Sequence, residues 1–130
     1  MIALINRWES IDASGRYLAP LQLINEDYGT DEDSSNWLSA AISWGYTVLG
    51  HDGYIDYVLY DVSDTVVYAV SHYESMDSLI ALRARPDYSD FISARNSYIL
   101  AKGFSFQEQI VTLEQPIRTI EELLELVNTN

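Results

Sequence analysis

The chain has 130 residues, is 48% hydrophobic, lacks cysteine, and sets twenty acidic against seven basic residues for a formal net charge of −13. That length suits a single domain whose core needs no staples, the missing cysteines exclude disulfides and thiolate metal sites, and the apolar content argues against wholesale disorder. So negative a surface repels nucleic acid and anionic membrane and speeds encounter with basic partners. The charge is uneven: residues 1–65 carry a net −9 and residues 66–130 a net −4.

Leu4, Ile5, Trp8 and Ile11 fall at helical spacing and predict an amphipathic helix over 2–12, ended by Ser14 and Gly15. The apolar start is broken at Asn6 and Arg7 and has no basic leader, so it does not read as a signal peptide. No apolar run approaches the ~20 residues that span a bilayer. A soluble, cytoplasmic protein is expected. Tyr17–Ile24 is ambiguous, because Pro20 suits either the first turn of a short helix or an edge strand; the short helix, ending near Gly29, is favoured.

An exposed acidic loop follows, with Glu26, Asp27, Tyr28, Asp31, Glu32 and Asp33 in close succession. Ser34 or Ser35 caps a helix defined by Trp37, Leu38, Ala41 and Ile42 and closed by Gly45, and acids before a helix start are favoured by its dipole. Tyr46–Leu49 reads as a strand. The clearest element is a β-hairpin, with arms at Tyr54–Tyr60 and Thr65–Ser71 joined at Asp61–Asp64, rich in Val and Tyr. Alternation places Ile55, Tyr57 and Leu59 toward the core and Tyr54, Asp56 and Tyr60 outward.

Ser75–Arg85 predicts a helix with Met76, Leu79, Ile80 and Leu82 apolar, and Pro86 interrupts it and opens a second over Asp87–Ala101. Gly103 stops that helix, and Phe104–Leu113 alternates as a strand. Thr119 with Glu122 three residues on forms a capping box for a final helix, 119–128, whose stripe is Ile120, Leu123, Leu124 and Val127. The sum is one α+β domain over 1–130, an antiparallel sheet of about four strands covered by helices.

No motif names a reaction. Asp31-x-Asp33-x-Ser35 opens like a calcium loop, but its sixth and twelfth positions are Asn36 and Ile42 rather than Gly and Glu. His51 and His72 with Asp52 and Glu74 contain metal-ligand types, although polar residues at strand ends are the simpler account, so no metal or cofactor is expected. Asp56 with Asp61 resembles a carboxylate pair of the kind used in acid–base hydrolysis, but acidic chains hold many such pairs by chance. There is no G-x-S-x-G, and Gly45–Gly50 lacks the ending of a phosphate loop. No residue is singled out as catalytic, and no stretch identifies a known family.

What remains is recognition. Ten tyrosines and three tryptophans accompany the carboxylates, and such aromatics serve as binding anchors. The sequence therefore favours a non-enzymatic binding protein that neutralises a basic, nucleic-acid-handling protein, as a toxin-immunity protein or an anti-defence nucleic-acid mimic. Glu26, Asp27, Asp31, Glu32, Asp33, Asp56 and Asp61 would supply the charges and Tyr28, Tyr54 and Tyr60 the anchors. The alternatives are a small phage or bacterial assembly subunit and a small hydrolase.

Overall fold

The computed structural model describes residues 1–9, 22–23, 48, 50–63, 65–90, 92–93, 96 and 105–128. Its elements in chain order are β1 (Ile2–Glu9), β2 (Gln22–Leu23), β3 (Tyr54–Asp61), β4 (Val66–Tyr73), α1 (Met76–Arg83), β5 (Ser105–Thr112) and α2 (Ile120–Asn128). The strands form one sheet in the order β2-β3-β4-β1-β5, and every neighbouring pair is antiparallel. The four long strands thus lie β3-β4-β1-β5. With helices packed on them, this is the ferredoxin-like α+β arrangement.

β1 overturns the helix expected over 2–12. Ile2, Ala3, Leu4 and Ile5 are all buried, because β1 lies between β4 and β5 and both of its faces are covered. A strand buried on both sides reads as a continuous apolar run, and here that run coincides with a helical template at Leu4, Ile5 and Trp8. At Gln22–Leu23 the edge-strand alternative holds rather than the favoured short helix: these residues pair with Leu59 and Val58 of β3 at the edge of the sheet. Val48 adopts helical geometry rather than the strand expected at 46–49. The acidic loop at 26–33 and the helix of 37–45 lie outside the described residues.

The hairpin forms as the Val- and Tyr-rich arms imply. At its turn the Ser63 hydroxyl accepts from the Thr65 and Val66 amides, at 3.3 and 3.2 Å. At its open end Glu74 N–H donates to the Gly53 carbonyl at 2.7 Å, and Gly53 holds φ +83°, a conformation that suits a residue without Cβ. Pairing of β3 with β4 is irregular between Tyr54 and Asp56, where Ile55 is the extra residue of a bulge.

The sheet has two covered faces. Leu4, Trp8, Tyr57, Leu59, Val67, Ala69 and Tyr73 form one apolar cluster with Leu79 and Leu82 of α1, and Tyr54 and Phe106 pack against it. Ala3, Ile5, Val58, Tyr60, Val66, Tyr68 and Val70 form the other with Ile117 and Leu123, joined by Ile120, Leu124 and Val127. The helix α1 starts where Ser75 accepts from the Ser78 amide at 3.3 Å. It buries Leu79 and Leu82 but leaves Met76 and Ile80 at the surface. After it, residues 86–90 are helical, as Pro86 allows at a first helical turn. The helix α2 starts at Thr119, whose hydroxyl accepts from the Glu122 amide at 3.0 Å. No helix among the described residues is long and apolar enough to cross a membrane.

Candidate functional site

Asp56, expected at the surface, is buried at 4% exposure beneath the chain that leads into α2. The bulge at Ile55 and the cover on the second face together explain this. Asp56 sits opposite His72, which is wholly buried, and accepts from its Nδ1 at 2.5 Å. The other carboxylate oxygen accepts from Arg118 Nη1 at 2.6 Å. Burial opposes the Asp56 charge, but the bonds from His72 and Arg118 outweigh it and hold the carboxyl below its ordinary range.

His72 Nε2 accepts from the Ile117 amide at 3.0 Å. An amide only donates, so this nitrogen carries no proton, and the ring is the neutral tautomer with its hydrogen on Nδ1. Tyr60, also expected outward, is 1% exposed and donates to the Ile117 carbonyl at 3.3 Å. Burial and the nearby Asp56 charge push its phenol up to about 12. Both ring nitrogens of His72 are thus engaged inside the protein. This cluster binds segment to sheet, and neither ring nitrogen of His72 is left for a ligand.

Tyr54 lies on the opposite face, half-buried, with its ring edge-on to Tyr73 at 5.9 Å. Asp61 closes β3 opposite Val67. Glu26, Asp27, Tyr28, Asp31, Glu32 and Asp33 lie outside the described residues. The structure therefore does not gather Tyr54, Asp56 and Tyr60 on one outward surface. His51 and His72 do not approach each other as ligands either: His51 Nε2 donates to the Ser78 carbonyl at 3.0 Å. Among the described residues no three metal-ligating side chains converge.

A different site lies on the face covered by α1. A cleft lined by Asn6, Tyr57, Ser71, Tyr73, Tyr88 and Glu108 opens between the sheet and the helical residues, its floor made by Leu4 and its wall by Leu79 and Leu82. Its free volume is 20 Å³, room for one water molecule. The register places Asn6 directly opposite Glu108, and Arg83 of α1 reaches across to the Glu108 carboxylate at 2.7 Å. Burial pushes the Tyr73 phenol up to about 12, so it remains protonated at neutral pH.

Asn6 Oδ1 is sealed from solvent and has no hydrogen-bond partner among the described residues. Leaving such an acceptor unmet costs about 1–3 kcal/mol, and a native structure that keeps one calls for an account. A wider groove of 510 Å³ lies on the other face, lined by Ile5, Arg7, Tyr68, Gln107, Gln109 and Val127. Size favours the groove, but the unmet acceptor favours the cleft, because it has a stated chemical need. Asn6 appears in the sequence only as the first polar residue in an apolar run, and nothing there marks it as functional.

No family model and no curated protein matches the chain. Among solved structures, the chain is similar to a Deinococcus radiodurans protein provisionally assigned as an antibiotic biosynthesis monooxygenase, with a TM-score of 0.58 at 9% identity over 92% of this chain and 99% of that one. It is also similar to SnoaB of Streptomyces nogalater, a cofactor-independent oxygenase, with a TM-score of 0.58 at 11% identity over 91% of this chain and 97% of that one. An Asn→Ala variant of SnoaB superposes with a TM-score of 0.57 at 12% identity. At such identities the likeness establishes a shared fold.

That fold, seen in proteins described as oxygenases, overturns the expected inhibitor of a basic nucleic-acid-handling partner, whether as immunity protein or as anti-defence mimic. The physical reason is local as well. Two of the four hairpin residues assigned to the contact surface, Asp56 and Tyr60, are buried against the segment that leads into α2.

Proposed function

We propose that the protein is a small oxygenase that takes an electron-rich hydroxyaromatic compound into the cleft between α1 and the sheet. The observation that carries this reading is Asn6 Oδ1, a buried acceptor with no partner among the described residues, in a cleft lined by tyrosines. Such an oxygen accepts from a substrate hydroxyl, while the rings of Tyr57, Tyr73 and Tyr88 offer aromatic surface to a planar substrate. Support for the reaction class comes from the fold shared with SnoaB and the Deinococcus protein. A ring enters by displacing Tyr88 and Ile92, which are half-buried at the cleft.

Oxygen chemistry normally draws on a metal or flavin; in a reaction without one, the substrate must itself be the reductant. A benzylic CH₂ beside a phenol loses a proton to give a carbanion, which reduces O₂ and bonds to it as a hydroperoxide once protonated. Loss of water then leaves a C=O, so CH₂ and O₂ become C=O and H₂O. The part assigned to this chain is to bind and orient the hydroxyl at Asn6 and to exclude bulk water.

The test is oxygen consumption with 1,8-dihydroxyanthrone, corrected for its spontaneous oxidation, in the wild type and in Asn6→Leu. Acceleration that is lost in the folded variant supports the reading. A wild-type rate equal to the buffer blank across anthrones, naphthols and flavonols refutes it.

A further inference from the structure

We infer that His72 is an acid-sensitive fastener: taking up a proton, it releases the segment that holds α2 on the sheet. The contacts are specific. Ile117 N–H donates to His72 Nε2 at 3.0 Å, Tyr60 donates to the Ile117 carbonyl at 3.3 Å, and Arg118 donates to Asp56 at 2.6 Å. Three polar groups of the chain before α2 are thus fixed to side chains of β3 and β4. Ile117 itself is 3% exposed, and Leu123 of α2 is fully buried on the same face.

A proton can join His72 only at Nε2, since Nδ1 already carries one toward Asp56. The new N–H points at the Ile117 N–H, donor against donor, inside a site from which water is excluded. One of the two must leave. The imidazolium stays, because Asp56 offers it a charge partner at once. Asp56 is then neutralised from within the sheet and holds Arg118 less firmly. Arg118 is 53% exposed and finds water readily. The hairpin pairing survives while the segment comes away.

Among the described residues, the charged and titratable groups around His72 are few. From β3 come Asp56 and the phenol of Tyr60; from the segment comes Arg118; from α2 comes Glu122, which faces Arg118 rather than the ring. At the level of His72, β1 presents Ala3, and β5 sets Val111 beside Ala3, neither of them charged. Carboxylates titrate near pH 4, whereas imidazoles take up protons between pH 5 and 8. Once open, the face bearing Ile5, Val58, Tyr60 and Val70 loses its cover, and the groove loses the wall made by Val127.

Hydrogen exchange read by mass spectrometry at pH 7.5 and 5.5, corrected for intrinsic rates, tests this on the full chain. Protection of peptides spanning 114–124 should be lower at pH 5.5 than at pH 7.5, by up to about tenfold per pH unit as expected for one linked proton. Peptides across β1 and β4 should keep theirs. In His72→Gln, whose side chain can accept from Ile117 but gains no charge, protection of 114–124 should be the same at both pH values. Equal wild-type protection at both pH values overturns the inference, and so does parallel loss in all peptides. A His72→Gln response matching the wild type overturns it too. If that variant does not fold, the wild-type contrast between 114–124 and β1 decides.

Discussion

Replacing Asp56 by Asn tests how much the buried cluster contributes. The wild-type carboxylate accepts from His72 at 2.5 Å and from Arg118 at 2.6 Å. Hydrogen bonds to a charged group contribute about 1.5–3 kcal/mol and neutral ones about 0.5–1.5 kcal/mol. An Asn carbonyl keeps the bond from His72 but as a neutral one, and its NH₂ meets Arg118 donor to donor. Two terms reduce the loss. Arg118 is half-exposed, so its pairing is screened by solvent, and the variant no longer buries a charge. The expected net cost is about 2 kcal/mol at pH 7.

Its pH dependence has a definite sign. Asp56 is held below its ordinary range when folded, so its contribution is complete above the unfolded carboxyl value of about 4. It is lost as pH falls through the lower folded value. Urea unfolding of wild type and Asp56→Asn, followed by tryptophan fluorescence at pH 7, 5 and 3.5, reads the gap directly. The gap should be narrower at pH 3.5, where the carboxyl begins to be neutralised, than at pH 5. Equal stability at pH 7, or a gap at pH 3.5 as wide as the one at pH 5, would refute the reasoning.

Other variants separate local effects. Gly50 and Gly53 both hold positive φ, but a Cβ at Gly50 meets nothing while one at Gly53 strikes the Ser78 side chain. Gly50→Ala should therefore cost about 1 kcal/mol and Gly53→Ala at least about 2 kcal/mol in chemical denaturation. Leu123→Ala empties a fully buried site between α2 and the sheet, and a loss of about 3 kcal/mol, or roughly 10 °C in Tm, should follow in calorimetry. Ser75→Ala and Thr119→Ala each remove a helix cap, and each should lower the urea midpoint by the equivalent of about 1 kcal/mol. Asn6→Leu removes an unmet buried oxygen and should raise stability by about 1 kcal/mol, with the opposite effect on oxygen consumption.

The hairpin and the C-terminal helix were legible because their signals are local. Val and Tyr fill both arms of the hairpin, and Thr119 with Glu122 marks a helix start that the amide bond at 3.0 Å realises. β1 was not legible, because Ile2–Ile5 owe their burial to strands distant in the chain, and a run apolar on all sides carries no period. The outward assignment of Asp56 and Tyr60 failed for a related reason. Alternation distinguishes two faces but does not say that a second layer, here Ile117 and α2, will cover the more polar one. Asn6 was visible only as an interruption. The role proposed for it depends on the cleft that α1 closes above it, and no residue near it in sequence announces that cleft.

The place of β1 in the sheet has a consequence for how the chain is made. Its neighbours are β4 and β5, both of which follow in the second half of the sequence. On the ribosome, Ile2–Glu9 is therefore synthesised long before either strand that will pair with it. At a synthesis rate of about 5–20 residues per second, those unpaired apolar residues wait for seconds with both edges open. Nascent-chain aggregation should accordingly depend on β1 more than on the hairpin, whose two arms leave the ribosome together and need nothing else to meet.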